Sequence, residues 1–314
     1  ATFEGVPLPD LSSFMRELPK LAAPPRRRPP TPPPSDKQIT PWGIESRFGV
    51  HAPAAWPRTQ GQDVKLVVID TGVDYDHADL KANIAGGWNA ITKTDDFKDD
   101  HGHGTHCAGT IAALDNDKSV VGVAPKVSLY GVKVLDAQGS GTFDDVIAGM
   151  QWAVEKKMDV ASMSLGANQG NDSLKAAVEA MAKAGVVLIA AAGNSGSSVG
   201  FPAAYPGAIA IAASDKNGAV AYFSSRGPEV DLIAPGVDVE SLAPGTNVPV
   251  KMSGTSMATP HVAGLAALAI SAKSLQGKGV DVVRKALTES ATPLKDVPVE
   301  QQGAGLVDAA KLVK

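Results

Sequence analysis

Three short stretches of the 314-residue chain carry side chains that could perform acid–base and nucleophilic chemistry together. Val68-Ile69-Asp70-Thr71-Gly72 puts a carboxylate directly after an apolar run. His101-Gly102-His103-Gly104-Thr105-His106-Cys107 offers imidazoles flanked by glycines, which let a ring come close to another backbone. Gly254-Thr255-Ser256-Met257-Ala258-Thr259-Pro260-His261 places a hydroxyl at the start of a long apolar segment. A hydroxyl attacks a carbonyl once a base takes its proton, and an imidazole is that base when a carboxylate fixes its tautomer. Each stretch alone has a plainer explanation. The aspartate could cap a turn, the serine could cap a helix, and three histidines in six residues could bind metal. The i, i+2, i+5 spacing of the histidines does not place three rings on one face, and no HExxH pattern is present.

For these residues to meet, the intervening chain must bring distant segments to one edge. Apolar runs without alternation read as buried strands at Lys65–Ile69, Ser128–Val134, Val160–Ser164, Val186–Ala191, Ala208–Ala213 and Asp231–Ala234. Between them, helical spacing predicts helices over His103–Leu114, Phe143–Lys156, Asp172–Ala184 and Thr255–Ser271. Strands alternating with helices define an α/β fold: a doubly wound, mostly parallel sheet with helices on both faces, in one domain over 38–314. An aspartate after such a strand lies at the carboxyl edge, where these folds place their sites. A serine opening a helix has backbone N–H groups and a helix dipole available to stabilise an oxyanion.

Residues 1–37 differ. Eleven of the 23 prolines fall in the first 41 residues, densest over Pro24–Pro34 around Arg26-Arg27-Arg28. Such a stretch is expected to be extended polyproline II. Upstream, Leu11, Phe14, Met15 and Leu18 have helical spacing. The segment carries six basic and four acidic residues, net +2, which leaves −6 on the rest of a chain of net charge −4. That balance gives no reason to expect nucleic-acid binding. No run of 18 apolar residues suggests a membrane span, and one cysteine, Cys107, excludes an internal disulfide.

The three stretches resemble the Asp, His and Ser boxes of the subtilases, in that order along the chain. The likeness continues through Gly122-Val123-Ala124-Pro125, Val132-Lys133-Val134-Leu135, Ser162-Met163-Ser164-Leu165-Gly166, Ala191-Ala192-Gly193-Asn194, Phe223-Ser224-Ser225 and Ala234-Pro235-Gly236, and covers about Gln38 to Val313. It implies a subtilisin-like serine endopeptidase acting on polypeptides, with Asp70, His103 and Ser256 as catalytic triad and Asn194 as oxyanion donor. Because the base must be neutral, activity is expected to fall with acidification through about pH 6–7. Two backbone segments, Gly139-Ser140-Gly141 and Ser164-Leu165-Gly166, are expected to sandwich the substrate as an added strand. With Ala191, Ala192, Gly193 and Gly200, the second segment would line the pocket for the residue before the cut. Small uncharged residues there predict broad tolerance with a preference for large apolar side chains. His101, His106 and His261 have no catalytic counterpart and are expected to be structural, with Cys107 a buried, unreactive thiol.

The resemblance also implies a structural calcium ion (Ca2+) on Gln38, Asp79, Leu114, Asn116, Lys118 and Val120, oxygen donors of the hard type calcium takes. The acidic cluster Asp95, Asp96, Asp99 and Asp100 could hold a second ion but is expected to be a solvated loop. Residues 1–37 are either a propeptide remnant or an inhibitory arm lying over the cleft. The enzyme is expected to be a monomer, secreted or periplasmic, with the cytoplasm of intracellular members as the alternative. A pseudoprotease is disfavoured by the full set of site residues, whereas a peptide ligase on the same scaffold would look identical in sequence.

Overall fold

A computed structural model describes residues 37–314. The sequence expectations for the amphipathic and proline-rich segments before residue 37 lie outside the described residues. Strands β1 (Lys65–Asp70), β2 (Ile84–Asn89), β3 (Ser128–Lys133), β4 (Val160–Met163), β5 (Val187–Ala191), β6 (Ala208–Ser214), β7 (Val230–Pro235), β10 (Ala291–Thr292) and β11 (Leu306–Val307) form one sheet, ordered β10-β11-β7-β6-β5-β4-β1-β3-β2. Every neighbouring pair is parallel except β10 with β11. The doubly wound α/β arrangement expected from the sequence is therefore what forms.

Helices cover both faces, as continuous apolar strands require. Leu66 and Val68 of β1 face a core built with α1 (His103–Ala112), α4 (Thr255–Lys273) and α5 (Val280–Ser290). Val67 and Ile69 face the opposite core, with α2 (Phe143–Glu155) and α3 (Asp172–Lys183). Each such side chain taken fully from water contributes about 1.5–3 kcal/mol. The short helices α6 (Val299–Gln302) and α7 (Ala309–Leu312) close the C-terminal end. Thr142 and Asn171 start α2 and α3 by accepting the N–H of Asp145 and Leu174 on their side chains. Among the described residues, no helix is long and apolar enough to cross a membrane.

The chain order reverses at β1, which has β4 on one side and β3 on the other. A crevice opens at the carboxyl ends of strands flanking such a switch point. A two-stranded antiparallel hairpin, β8 (Val239–Ala243) with β9 (Thr246–Met252), packs over α1. There Ser241 Oγ donates to the His106 carbonyl, and His106 Nε2 bonds the Val239 carbonyl at 3.0 Å.

His106 and His261 are fully buried. Desolvation lowers both imidazoles to about pKa 4, against partial compensation from bonds to the Val239 and Met257 carbonyls. Both are therefore neutral in the fold, as structural histidines. In the unfolded chain an imidazole takes up its proton near pH 6.5, so between about 6.5 and 4 the unfolded state binds more protons. The stabilisation is complete above pH 6.5 and is lost as pH falls towards 4, at up to roughly 3 kcal/mol per pH unit for two sites. Urea unfolding of a Ser256→Ala form, which avoids autolysis, should show a midpoint that drops steeply from pH 6.5 to 4.5. A midpoint unchanged over that range would contradict the assignment.

Candidate active site

Asp70 ends β1 and is completely buried. Its Oδ1 lies 2.7 Å from His103 Nδ1 and accepts the Thr71 N–H at 2.7 Å. Burial by itself would raise the carboxyl pKa, but the His103 charge and hydrogen bond, with the Thr71 N–H, hold it below the usual carboxylate range. The carboxylate thus stays ionised and fixes His103 with its Nδ1 proton inward, leaving Nε2 as the basic nitrogen.

His103 opens α1, whose first N–H groups are satisfied from outside the helix. His101 Nδ1 takes the His103 N–H, Thr71 Oγ1 takes Gly104, and Asp99 Oδ2 takes Thr105. Asp99 Oδ1 also accepts from Thr71 Oγ1, His101 N and Gly102 N. Asp99 is 5% exposed. The acidic cluster is therefore not uniformly solvated: one carboxylate turned inward to cap the helix, while Asp100 pairs with Lys133 at 2.6 Å. Gly104 lets α1 approach β1, because a Cβ there would overlap the Gly72 carbonyl oxygen.

The register of β1 with β4, Val68 opposite Ser162, carries Ser164 to the level of Asp70 on the neighbouring strand. Ser256 is seated there, its hydroxyl donating to the Ser164 carbonyl at 3.0 Å rather than to His103. Such hydroxyl–imidazole bonds often close only when substrate is bound. Pro260 lies inside α4 and has no N–H, so the Ser256 carbonyl four residues earlier lacks its helical partner. Ser164 Oγ supplies a replacement at 2.8 Å, and the Cys107 thiol a weaker one at 3.5 Å. Cys107 is buried under Asp70 and His103, with ligand atoms of the three within 4.8 Å. Burial first, then the Asp70 charge, pushes its pKa well above the ordinary thiol value, which keeps the thiol protonated.

Asn194 follows β5. Its Oδ1 accepts from Thr255 N at 2.8 Å and Thr255 Oγ1 at 3.0 Å, which turns Nδ2 the other way. A Cβ at Gly254 would lie 3.6 Å from both Asn194 Nδ2 and Ser256 N. The Asn194 amide nitrogen and the Ser256 N–H thus lie near one another beside Gly254.

A cavity of about 280 Å³ adjoins it, lined in part by Leu165, Gly166, Ala191, Gly193 and Gly200. Ala192 stands one layer behind, its carbonyl accepting the Gly200 N–H at 2.9 Å. Sequence reasoning missed Asn168, Ser195, Ser198 and Ser225, which give this cavity a polar wall. Ser195 and Ser225 hydroxyls lie 3.0 Å apart, so the wall joins two segments distant in the chain. The serines of 195–198 and the Phe223-Ser224-Ser225 stretch were the sequence signals. Gly139-Ser140-Gly141 lies outside this cavity, on the other side of the site. A Cβ at Gly139 would stand 3.0 Å from His101 Nε2, and the His101 ring is 6.2 Å from that of His103. His101 is exposed, unlike the buried His106 and His261. The three histidines of the second stretch diverge and share no metal position.

The six residues expected to hold calcium do gather. Gln38 Nε2 donates to the Leu114 carbonyl at 2.7 Å and the Val120 carbonyl at 3.4 Å. Asn116 Nδ2 donates to Asp79 Oδ1, and the Lys118 N–H to Asn116 Oδ1. Asp79 is 2% exposed, its pKa is raised by burial, and its Oδ2 has no partner among the described residues. Two amide NH₂ groups here face carbonyl and carboxylate oxygens, the part a cation would play.

Residues 61–305 match the model of the Subtilase family. Subtilisin DY from Bacillus licheniformis is 45% identical over 256 residues, 80% of this chain and 92% of the relative. Alkaline elastase YaB from Bacillus sp. (strain YaB) is 46% identical over 274 residues, 87% of this chain and 70% of its own. The thermostable alkaline protease of Halalkalibacterium halodurans is 41% identical over 313 residues, 98% and 84% of the two chains. With this site at the switch point of this sheet, the chain belongs to the Subtilase family. It is a subtilisin-like serine endopeptidase, a hydrolase acting on polypeptides.

Gly104→Ala should push α1 away from the end of β1. The expected cost is about 1–3 kcal/mol of stability from overpacking, with at least a tenfold loss in kcat/KM. Thermal unfolding and peptide hydrolysis measure both; an unchanged variant would contradict the packing described.

Proposed function

We propose that Ser256 Oγ attacks the substrate carbonyl while His103 Nε2 takes its proton, forming an acyl-enzyme that water then hydrolyses. The observation that carries this is the buried Asp70–His103 pair at 2.7 Å beside a serine seated at a helix start. The step requires the Ser256 hydroxyl to leave the Ser164 carbonyl by a χ1 rotation and meet the imidazole. His103 then returns the proton to the leaving amine, and Asp70 stabilises the imidazolium throughout. The developing O⁻ is received between Asn194 Nδ2 and the Ser256 N–H. In a subtilisin, removing the corresponding amide donor costs about 10²–10³ in kcat.

Substrate is bound as a strand between Gly139-Ser140-Gly141 and Ser164-Leu165-Gly166, with Ala191, Ala192, Gly193 and Gly200 shaping the primary pocket. A lining with no charged side chain supports broad specificity and a preference for large apolar residues before the cut.

Calcium on Gln38, Asp79, Leu114, Asn116, Lys118 and Val120 would supply the positive charge that the buried Asp79 lacks, and so stabilise the fold. Ligation needs both amides turned to present oxygen. The Gln38 N–H bonds the Asp117 carbonyl, so the chain enters the domain at this loop. Residues 1–37 are read as a propeptide remnant or an inhibitory arm, the second reading supported by their net charge of +2 against −6 on residues 38–314. The protein is read as secreted or periplasmic, with the cytoplasm as the alternative.

One assay series tests this. Casein digestion should be abolished in Ser256→Ala and reduced about 10²-fold or more in Asn194→Leu. EDTA should lower the thermal midpoint of the wild type but not of Asp79→Asn, and deletion of residues 1–37 should raise the initial rate. Digestion persisting in Ser256→Ala would overturn the mechanism, and an EDTA-insensitive wild type the calcium site.

A further inference from the structure

Lys133 belongs to the Val132-Lys133-Val134-Leu135 stretch, which the proposed chemistry leaves unused. It ends β3 in register with Asp70 at the end of β1. Only 6% of it is exposed. Taking an ammonium out of water is expensive unless each of its three protons finds an acceptor. Nζ donates to the Thr71 carbonyl at 2.8 Å, the Leu135 carbonyl at 2.8 Å and the Asp100 carboxylate at 2.6 Å.

The three acceptors belong to three different parts of the site. Thr71 follows Asp70, and its N–H bonds the Asp70 carboxylate while its Oγ1 takes the N–H of Gly104 in α1. Asp100 adjoins Asp99, which holds Gly102 and Thr105 at the start of the His103 helix. Leu135 leads into the turn where Asp136 accepts from Ser140 N, and so into Gly139-Ser140-Gly141. An apolar side chain at 133 would leave two carbonyls without this donor and Asp100 without its cation.

We propose that Lys133 is a positioning residue for peptide hydrolysis: its single ammonium ties the end of the Asp70 strand, the approach to the His103 helix and the substrate-receiving segment into one rigid unit. It touches no substrate, and the inference rests on the triad roles proposed above. A residue that only stabilised the fold would leave the kinetics of the folded enzyme unchanged. A brace between the triad and the receiving strand affects them in two separable ways. Displacing the Thr71 and Asp100 arms disturbs the reacting groups for every substrate. Displacing the Leu135 arm weakens binding only for substrates long enough to reach residues 139–141.

Lys133→Met and wild type are compared on a single-residue ester and on a tetrapeptide anilide, with the folded fraction taken from circular dichroism. A misplacement of about 1 Å can cost 10²-fold, so kcat should fall about 10–100-fold on both substrates. KM should rise about fivefold or more for the tetrapeptide and less than twofold for the ester. A folded Lys133→Met with kcat and KM within twofold of wild type on both would overturn the proposal. If Lys133→Met does not fold, Asp100→Asn decides, because Asp100 is 53% exposed and its loss removes only one arm. It should lower kcat about twofold to fivefold on both substrates, and unchanged kinetics would overturn the proposal. Ser256→Ala on the same substrates separates the two levels: residual hydrolysis there removes the triad mechanism itself, whereas normal kinetics in the Lys133 variant removes only this brace.

Discussion

The structure depends on a carboxylate with no access to water, held against an imidazole. Asp70 keeps its charge because His103 and the Thr71 N–H together outweigh the desolvation that would neutralise it. That balance requires the helix carrying His103 to start within hydrogen-bonding reach of a strand end. Gly104 permits the approach sterically, and Asp99 holds the helix start in place through five hydrogen bonds. Loss of the imidazole would leave an uncompensated buried charge, among the costliest defects a core can hold.

The same economy of polar groups governs the nucleophile. Pro260 deprives the Ser256 carbonyl of its helical partner, and Ser164, just past β4, and Cys107 in α1 answer. The hydroxyl and the carbonyl of Ser256 are thus both anchored to the Ser164 backbone and side chain before any substrate arrives. Asn194 is fixed likewise, its oxygen committed to Thr255 so that its nitrogen is presented outward. Two buried carboxylate oxygens, Asp70 Oδ2 and Asp79 Oδ2, have no partner among the described residues.

Much of this was legible in the sequence, for physical reasons that differ by element. β1, β4, β5 and β6 are short apolar runs buried on both faces, and their composition announces it. The Asp, His and Ser stretches stood out because each lies at an element's end among glycines. β2 was missed: its two glycines argue against a strand, yet Gly87 is needed because Phe97 and the Gly131 carbonyl leave no room for a Cβ. The hairpin β8–β9 was missed because Glu240, Ser241, Asn247 and Pro249 break its apolar pattern. Asp99 could not be told from its acidic neighbours, since composition does not say which carboxylate turns inward. The roles proposed for Asn194, the two substrate segments and the calcium ligands rest on family resemblance, and the serine wall of the pocket required the fold itself.

The direct measurement is the steady-state kinetics of Asp70→Asn beside the wild type. An amide there keeps the shape but no longer fixes the His103 tautomer with Nε2 as base, and such a change costs about 10⁴ in kcat in a triad of this kind. The expected result is a folded enzyme with kcat lower by about 10³–10⁴ and KM little altered. A folded Asp70→Asn retaining kcat within tenfold of the wild type would contradict the role given to the buried carboxylate.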